Sequence, residues 1–131
     1  MTRTLAVDPG EERIGLAISD PSGTIARPLS VVHHQSRSVD AQRIAAAAQE
    51  HDAQRIVVGV ALDRDGRAGP QARRALRLVA QLRQATTLEI VTWDESGSTL
   101  QAERMTHAAA PLDARAAAVI LQEFLDAQQA R

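Results

Sequence analysis

LAVDPGEERIGLAISD, residues 5–20, contains two apolar segments that a Pro-Gly pair separates. The first segment is β-prone and ends on Asp8, and in the second segment apolar residues alternate with small or polar ones. Alternation is the period of a strand with one buried face, and Pro9-Gly10 favours a turn, so the stretch predicts an antiparallel hairpin. The acid at the end of a buried strand is either an ordinary turn residue or part of a site for a hard cation, which requires carboxylate oxygens on rigid backbone.

The composition is that of a globular protein. The chain has 131 residues, of which 44% are hydrophobic and 24% charged, and we expect one domain over residues 1–131. The net charge is −1, so any attraction to nucleic acid must come from a local patch. The absence of Cys excludes disulfides, thiolate catalysis and Cys-ligated zinc. No apolar run approaches the roughly 20 residues of a membrane span, so we expect a cytoplasmic protein with no membrane partner.

The remaining sequence alternates between helical and strand patterns. Strands are predicted at Thr24–Val32, Arg55–Val60 and Leu88–Trp93, and helices at Ser38–His51, from Pro70 onward, at Ser98–His107 and at Ala110–Gln129. The N-cap candidates of the first helix are Ser38 and Asp40, and the helix at Pro70 is predicted to bury Leu76, Val79 and Leu82. Strand hairpins followed by alternating helices and strands predict an α/β domain with a mixed sheet of five strands, Asp8 on a central one, that helices cover.

Three acidic positions are predicted to meet at one end of the sheet. Asp8 ends the first strand, Asp94-Glu95 follows the last strand, and Asp113 lies one turn before Ala117 on the apolar stripe of the last helix. Converging carboxylates repel unless divalent cations neutralise them, and Mg²⁺ and Mn²⁺ suit oxygen ligands. The alternative for Asp113 is an acid favoured by the helix dipole. Neighbouring side chains on an extended segment point in opposite directions, so only one of Asp94 and Glu95 is expected to reach the site.

Four segments resemble the YqgF/RuvX-like family, in order and at similar intervals over nearly the whole chain. They are VDPGEERIGLAISD (residues 7–20), IVVGVALDRDGRAGPQA (56–72), VTWDESGSTLQAERM (91–105) and LDARAAAVILQEFLD (112–126). The resemblance implies a ribonuclease H-like fold and a nuclease of pre-16S rRNA 5′-end maturation or Holliday-junction resolution. The chain departs from the family pattern at Ala61, Asp63 and Ser96, where the family has Pro, Asn and Arg, so handling of the substrate is in question.

The acidic positions of the family match Asp8, Glu95 and Asp113, which we therefore expect to be both catalytic residues and ligands of two Mg²⁺ or Mn²⁺ ions. Asp8 would contact both ions because its strand is central, and the other two acids would each hold one. Asp63 and Asp65 are interpreted as turn residues. The expected partner is nucleic acid, with pre-rRNA favoured over DNA and a ribosome precursor as its carrier. The candidate nucleic-acid-binding residues lie on the central loop and the helix after it: Arg64, Arg67, Arg73, Arg74 and Arg77.

Other functions fit parts of the pattern. One alternative is a nuclease of Holliday junctions or other structured DNA. Another is a non-catalytic module that binds RNA or the ribosome on the same fold, which the Ser96 departure favours and the intact acids oppose. An actin-like ATPase would require two such domains to enclose ATP, whereas 131 residues supply one.

Overall fold

The computed structural model describes residues 2–94 and 110–130 of the chain. Glu95 and the helix predicted at Ser98–His107 lie outside the described residues. The described residues form five strands and three helices. In chain order these are β1 (Thr4–Pro9), β2 (Arg13–Ser19), β3 (Ala26–His33), α1 (Arg37–Glu50), β4 (Arg55–Val60), α2 (Pro70–Ala85), β5 (Glu89–Asp94) and α3 (Leu112–Gln129).

The strands form one mixed sheet in the order β3-β2-β1-β4-β5. β1 is central, with β2 antiparallel on one side and β4 parallel on the other. β4 pairs with β5 in parallel, and β3 pairs with β2 antiparallel. The predicted α/β class, the hairpin of residues 5–20 and the five-stranded mixed sheet with Asp8 on its central strand are therefore confirmed.

Helices cover both faces of the sheet. Leu5 and Val7 of β1 belong to the larger apolar cluster, which α1 and α2 complete. Ala6, between them in sequence, belongs to a second cluster with Phe124 and other residues of α3. Successive side chains of a strand point to opposite faces, so odd-numbered residues of β1 face α1 and α2, and even-numbered residues face α3. We call these the α1–α2 face and the α3 face.

The three helices in the described part of the chain begin at the same edge of the sheet. β1, β3, β4 and β5 run in one direction and β2 in the other. We call the edge where these four strands end the carboxyl edge. α1 and α2 begin there because they follow β3 and β4. The first turn of α3 packs at the beginning of β2, which is the same edge. Positive ends of helix dipoles favour anions, so this edge favours a negatively charged ligand.

The predicted start of β3 and the predicted N-cap of α1 are wrong, and local hydrogen bonds explain both. β3 begins at Ala26 rather than Thr24 because the carboxylate of Asp20 accepts the backbone N–H groups of Thr24 and Ile25, at 2.7 and 3.0 Å. The N-cap of α1 is Ser36, whose hydroxyl accepts the N–H of Val39 at 3.2 Å, and neither Ser38 nor Asp40. The Asp40 carboxylate is instead buried, where it accepts the N–H of Gln35.

The helix boundaries and buried stripes agree with the sequence except at two places. α2 begins at Pro70 as predicted, and Val79 and Leu82 are buried, but Leu76 is 44% exposed and Leu78 is buried instead. Each residue of an α-helix is rotated by about 100° from the one before it. Leu76 lies about one such rotation away from the centre of the buried stripe, which leaves it exposed. α3 begins at Leu112 rather than Ala110 because Pro111 has an extended ψ of 146°. No helix in residues 2–94 and 110–130 is long and apolar enough to cross a membrane.

Candidate active site

Asp8 lies near the carboxyl end of the central strand, on the α3 face. Its side chain is half-buried, between the buried residues Val7 and Pro9. Its Cα partner on β2 is Gly15. Asp8 lies one residue beyond Val7, and the pair of Val7 with Val58 is the last one between β1 and β4. A carboxylate at this position is held by the backbone of a strand that has neighbours on both sides, which gives the rigidity that a hard-cation ligand requires.

The first turn of α3 lies directly on β2 at the residue that pairs with Asp8. A Cβ built on Gly15 would lie 1.9 Å from the carbonyl oxygen of Asp113 and 3.0 Å from the backbone nitrogen of Ala114. No side chain fits in that space, so a glycine is required for α3 to approach this closely. Neighbouring strands are about 4.8 Å apart. The backbone of Asp113 is therefore separated from Asp8 by the spacing of one strand, on the same face.

The carboxylate of Asp113 is turned toward the sheet. Its Oδ2 lies 2.9 Å from the guanidinium Nε of Arg13, and the two side chains are 34% and 58% exposed, respectively. Arg13 precedes Gly15 by two residues on β2 and therefore lies on the α3 face as well. The sequence analysis did not identify Arg13 or Gly15. The sequence shows only that Arg13 and Gly15 share one face of a strand. That they lie beside Asp8 follows from the pairing of Asp8 with Gly15, which the sequence does not give.

Of the two acids at the end of β5, Asp94 is on the wrong face to join Asp8. Val91 and Trp93 pack against the α3-face cluster, whereas Ile90 packs against the other cluster. By alternation Asp94 belongs to the α1–α2 face, and its side chain is exposed. Within residues 2–94 and 110–130, no group of three or more acidic or histidine side chains is arranged to hold a metal ion. That set does not include Glu95, so the position of Glu95 stays a prediction.

The oxygen ligands and the charge at this place fit a divalent cation. Asp8 and Asp113 supply carboxylate oxygens, which Mg²⁺ and Mn²⁺ prefer. Asp113 already has a cationic partner in Arg13. The acids of the central loop are different, because Asp63 Oδ1 accepts the backbone N–H of Asp65 at 2.9 Å and of Arg67 at 2.8 Å. Asp63 closes a turn, in agreement with its interpretation from the sequence.

The candidate nucleic-acid-binding arginines lie at the carboxyl edge, in the loop after β4 and the first turns of α2. Arg64, Arg67, Arg73 and Arg77 are exposed. Arg73 Nη1 donates to the carbonyl oxygen of Ala68 at 2.9 Å. Arg74 is 33% exposed and its Nη2 lies 3.1 Å from Oε1 of Glu11, in the turn between β1 and β2. That ion pair connects the start of α2 to the hairpin that carries Asp8.

The sequence analysis considered Asp40 only as an N-cap candidate and missed its burial on the α1–α2 face. Asp40 is 1% exposed, and its Oδ2 lies 2.5 Å from Nδ1 of His34, which follows β3. Asp40 and His34 line a small crevice at the carboxyl edge together with Arg37 and Arg74. This pair ties the start of α1 to the end of β3, and it lies on the opposite face of the sheet from Asp8.

The sheet order β3-β2-β1-β4-β5, with helices on both faces, defines the class of fold as a ribonuclease H-like α/β domain. The fold is similar to that of Thermus thermophilus RuvC in its complex with a Holliday junction substrate, with a TM-score of 0.63 and 17% identity over 98% of this chain and 96% of that one. At this identity the likeness concerns the fold.

The family follows from the sequence. The model of the RuvX family, described as Holliday junction resolvase, matches residues 2–127, and the chain belongs to this family. A relative from Bordetella petrii is 43% identical over 94% of both chains. One from Thermoanaerobacter pseudethanolicus is 35% identical over 97% of this chain and 98% of its own. Both carry the name "Putative pre-16S rRNA nuclease". The chain is accordingly a nuclease, a hydrolase of phosphodiester bonds.

Proposed function

We propose that this chain is a divalent-cation-dependent nuclease that matures the 5′ end of pre-16S rRNA, with Asp8, Glu95 and Asp113 as the carboxylates of its active site. The observation that carries the proposal is the packing of Asp113 on Gly15, because it sets a second acid one strand away from the acid of the central strand. The substrate is taken from the names of the relatives, which cover nearly the whole chain.

Each acid has its own role in the proposed site. Asp8 lies on β1, between β2, on which Asp113 packs, and β5, which Glu95 follows in the sequence, so its carboxylate would be available to both cations. Asp113 would hold one cation from the side of β2, and Glu95, which directly follows β5 in the sequence, would hold the other. Bound Mg²⁺ or Mn²⁺ supplies an acidified attacking water and charge compensation for the departing 3′ oxygen. None of the carboxylates has to transfer a proton in this proposal.

The electrostatics of the carboxyl edge suit a phosphate backbone. The three helices of the described residues all begin at this edge, and exposed Arg64, Arg67 and Arg77 add positive charge there. The overall charge of −1 makes this local patch the source of attraction. We therefore place the RNA along the carboxyl edge, so that it crosses from the start of α2 to the acids of the α3 face.

Base stacking contributes little to binding in this proposal. The single Trp and the single Phe of the chain are both engaged in packing. The rings of Trp93 and Phe124 make an edge-to-face contact with centroids 5.8 Å apart, and the guanidinium of Arg55 lies over the Phe124 ring at 4.7 Å. Stacking on aromatic side chains is a main source of affinity in many single-strand binders. Its absence here favours recognition of RNA by its backbone and shape.

The test compares purified wild type with Asp8→Asn on a 5′-labelled RNA that contains the 5′ end of pre-16S rRNA, with Mg²⁺, with Mn²⁺ and with a chelator. We expect cleavage by the wild type with either cation, none with the chelator, and a loss of at least about a thousandfold in Asp8→Asn. Equal cleavage by both proteins would indicate a contaminant or another active site and would refute the mechanism. RNA that is bound but never cut would support the non-catalytic alternative.

A four-way DNA junction is the second substrate to include, because the family description names Holliday junctions. Cleavage of the junction with the precursor RNA left intact would refute the assignment of RNA as substrate. The carboxylate site would survive that result, because the same Asp8→Asn comparison applies to DNA.

A further inference from the structure

Arg13 and Asp113 form an ion pair inside the proposed active site. The Nε of Arg13 lies 2.9 Å from Oδ2 of Asp113. Arg13 lies at the first residue of β2, at the carboxyl edge and on the α3 face, which is also the face of Asp8. Its guanidinium therefore occupies space next to the carboxylate that a catalytic cation would use.

The guanidinium and a divalent cation compete for the same carboxylate. A cation coordinated by Asp113 withdraws negative charge from that carboxylate and repels the positive guanidinium beside it. The backbone of Asp113 is fixed by its contact with Gly15, so the helix has no space to move toward the sheet. Arg13 is the partner that is able to move, because its long side chain is 58% exposed.

The released guanidinium has a second anion to bind. Arginine pairs with phosphate in the same forked geometry that it uses for carboxylate. Nucleic acid bound along the carboxyl edge would bring phosphate groups to the same place. Among residues 2–94 and 110–130, the Arg13 guanidinium makes no ion pair other than that with Asp113, so movement to a phosphate breaks one ion pair.

We propose that Arg13 is a positioning residue that neutralises Asp113 while the cation is absent and moves to a substrate phosphate when the cation binds. The inference rests on the proposed function, because it requires Asp113 to hold a cation. It predicts that loss of the Arg13 charge changes the affinity for the cation and the affinity for RNA in opposite directions. Removal of the Arg13 charge strengthens cation binding in the absence of RNA and weakens RNA binding in the presence of the cation. A purely structural ion pair would not produce this combination.

The experiment titrates Mn²⁺ alone into wild type, Arg13→Gln, Arg13→Lys, Asp113→Asn and Arg83→Gln by calorimetry, with circular dichroism as the check of folding. Arg83 lies in the last turn of α2, at the opposite end of that helix from the carboxyl edge, and serves as the control for loss of one positive charge. We expect Arg13→Gln to bind Mn²⁺ about threefold to fivefold more tightly than wild type, an effect of the size that an exposed ion pair supports. Arg13→Lys, which keeps the charge, and Arg83→Gln should match wild type.

The second part measures binding of a non-cleavable RNA with saturating Mn²⁺. We expect Arg13→Gln to bind the RNA roughly tenfold more weakly, the loss of one charge-assisted contact, while Arg83→Gln is unchanged. One result would overturn the role of Arg13 and leave the proposed function intact. In that result, folded Arg13→Gln binds Mn²⁺ no more tightly than wild type, while Asp113→Asn loses Mn²⁺ binding. Wild type that binds no Mn²⁺, or binds it equally in Asp113→Asn, would overturn the metal site and the inference together.

Discussion

The carbonyl oxygen of Asp113 occupies the space that a side chain at Gly15 would need, 1.9 Å from the position of its Cβ. Gly15 is the register partner of Asp8 on the neighbouring strand. A missing side chain on β2 thus determines how near α3 comes to the central strand. The distance between the two acids depends on a residue that has no functional group.

Gly15→Ala should therefore damage both stability and activity. A methyl group at this position collides with backbone atoms of Asp113 and Ala114, which cannot rotate away as a side chain would. Overpacking of this kind costs about 1–3 kcal/mol or more in the free energy of unfolding. A displacement of about 1 Å in a catalytic group costs roughly a hundredfold in rate. Urea unfolding and RNA cleavage with Mn²⁺ measure the two effects.

Gly69→Ala is the matched control for this substitution. A Cβ at Gly69 meets no atom within 4 Å, and the φ of −76° is accessible to alanine. Gly69 is the N-cap of α2, so the expected cost is below about 1 kcal/mol, with cleavage unchanged. If Gly15→Ala were as stable and active as Gly69→Ala, the close approach of α3 would not be what positions Asp113.

The arrangement of strands was predictable because each strand has a strong local signal. The hairpin of residues 5–20 combines alternation with a Pro-Gly turn, and the run Arg55–Val60 is apolar throughout, as a strand buried on both faces is. The apolar residues from Ala117 to Phe124 likewise recur at helical spacing, which predicts the helix α3. The start of β3 was not predictable, because the side chain of Asp20 takes the N–H groups that would have extended the strand.

The site was predictable only in part, because its geometry depends on contacts between distant segments. Asp8 is marked by its position at the end of a strand, and Asp113 by its place on an apolar stripe. The ion pair of Arg13 with Asp113 joins residues that are far apart in sequence, and no periodicity within either segment indicates it. Residue spacing left the choice between Asp94 and Glu95 open and the family resemblance favoured Glu95, and the packing of Val91 and Trp93 on the α3 face places Asp94 on the other face.

Cation binding should stabilise the wild-type protein and fail to stabilise Asp8→Asn. A ligand that binds only the folded state raises the free energy of unfolding by about 2.7 kcal/mol when its concentration is a hundredfold above Kd. Without cations Asp8→Asn should be as stable as wild type or slightly more stable, because one member of a repelling group of acids is neutral. Thermal unfolding with Mn²⁺ and with a chelator measures both. An equal rise in Tm for the two proteins would show that the cation binds elsewhere.

The double substitution Arg73→Ala with Arg77→Ala should weaken RNA binding and its dependence on salt. Both side chains are exposed one turn apart on α2, near the carboxyl edge. Each phosphate contact on a single strand contributes about 0.7 to the slope of log K against log salt, so the slope should fall by up to about 1.4. The cation requirement for cleavage should not change. Fluorescence anisotropy at several salt concentrations provides the slope.

Arg27→Ala with Arg83→Ala is the control for net charge. Both residues are exposed at the opposite edge of the sheet, near the start of β3 and in the last turn of α2. Their removal lowers the total positive charge by the same amount and should leave the slope nearly unchanged. An equal loss of slope in both double variants would mean that overall charge, rather than the start of α2, attracts the RNA.

The turn between β2 and β3 should make stability depend on pH in the acidic range. The backbone N–H of Ile25, the hydroxyl of Ser22 and the backbone N–H of Thr24 all bond the carboxylate of Asp20 and lower its pKa from 3.8 to about 2. Because the folded pKa lies below the unfolded one, the stabilisation is complete well above the unfolded value of 3.8 and is lost as the pH falls from there through about 2. Asp20→Ala removes it at every pH. The gap in unfolding free energy between wild type and Asp20→Ala should therefore be widest near neutral pH and narrow toward about pH 2. Urea unfolding of both proteins at several acidic pH values measures the gap.

Asp65→Ala is the control, since it removes an exposed acid from another turn without removing these hydrogen bonds. A gap for Asp20→Ala that stays constant across this range would show that the carboxylate does not hold the turn through its charge.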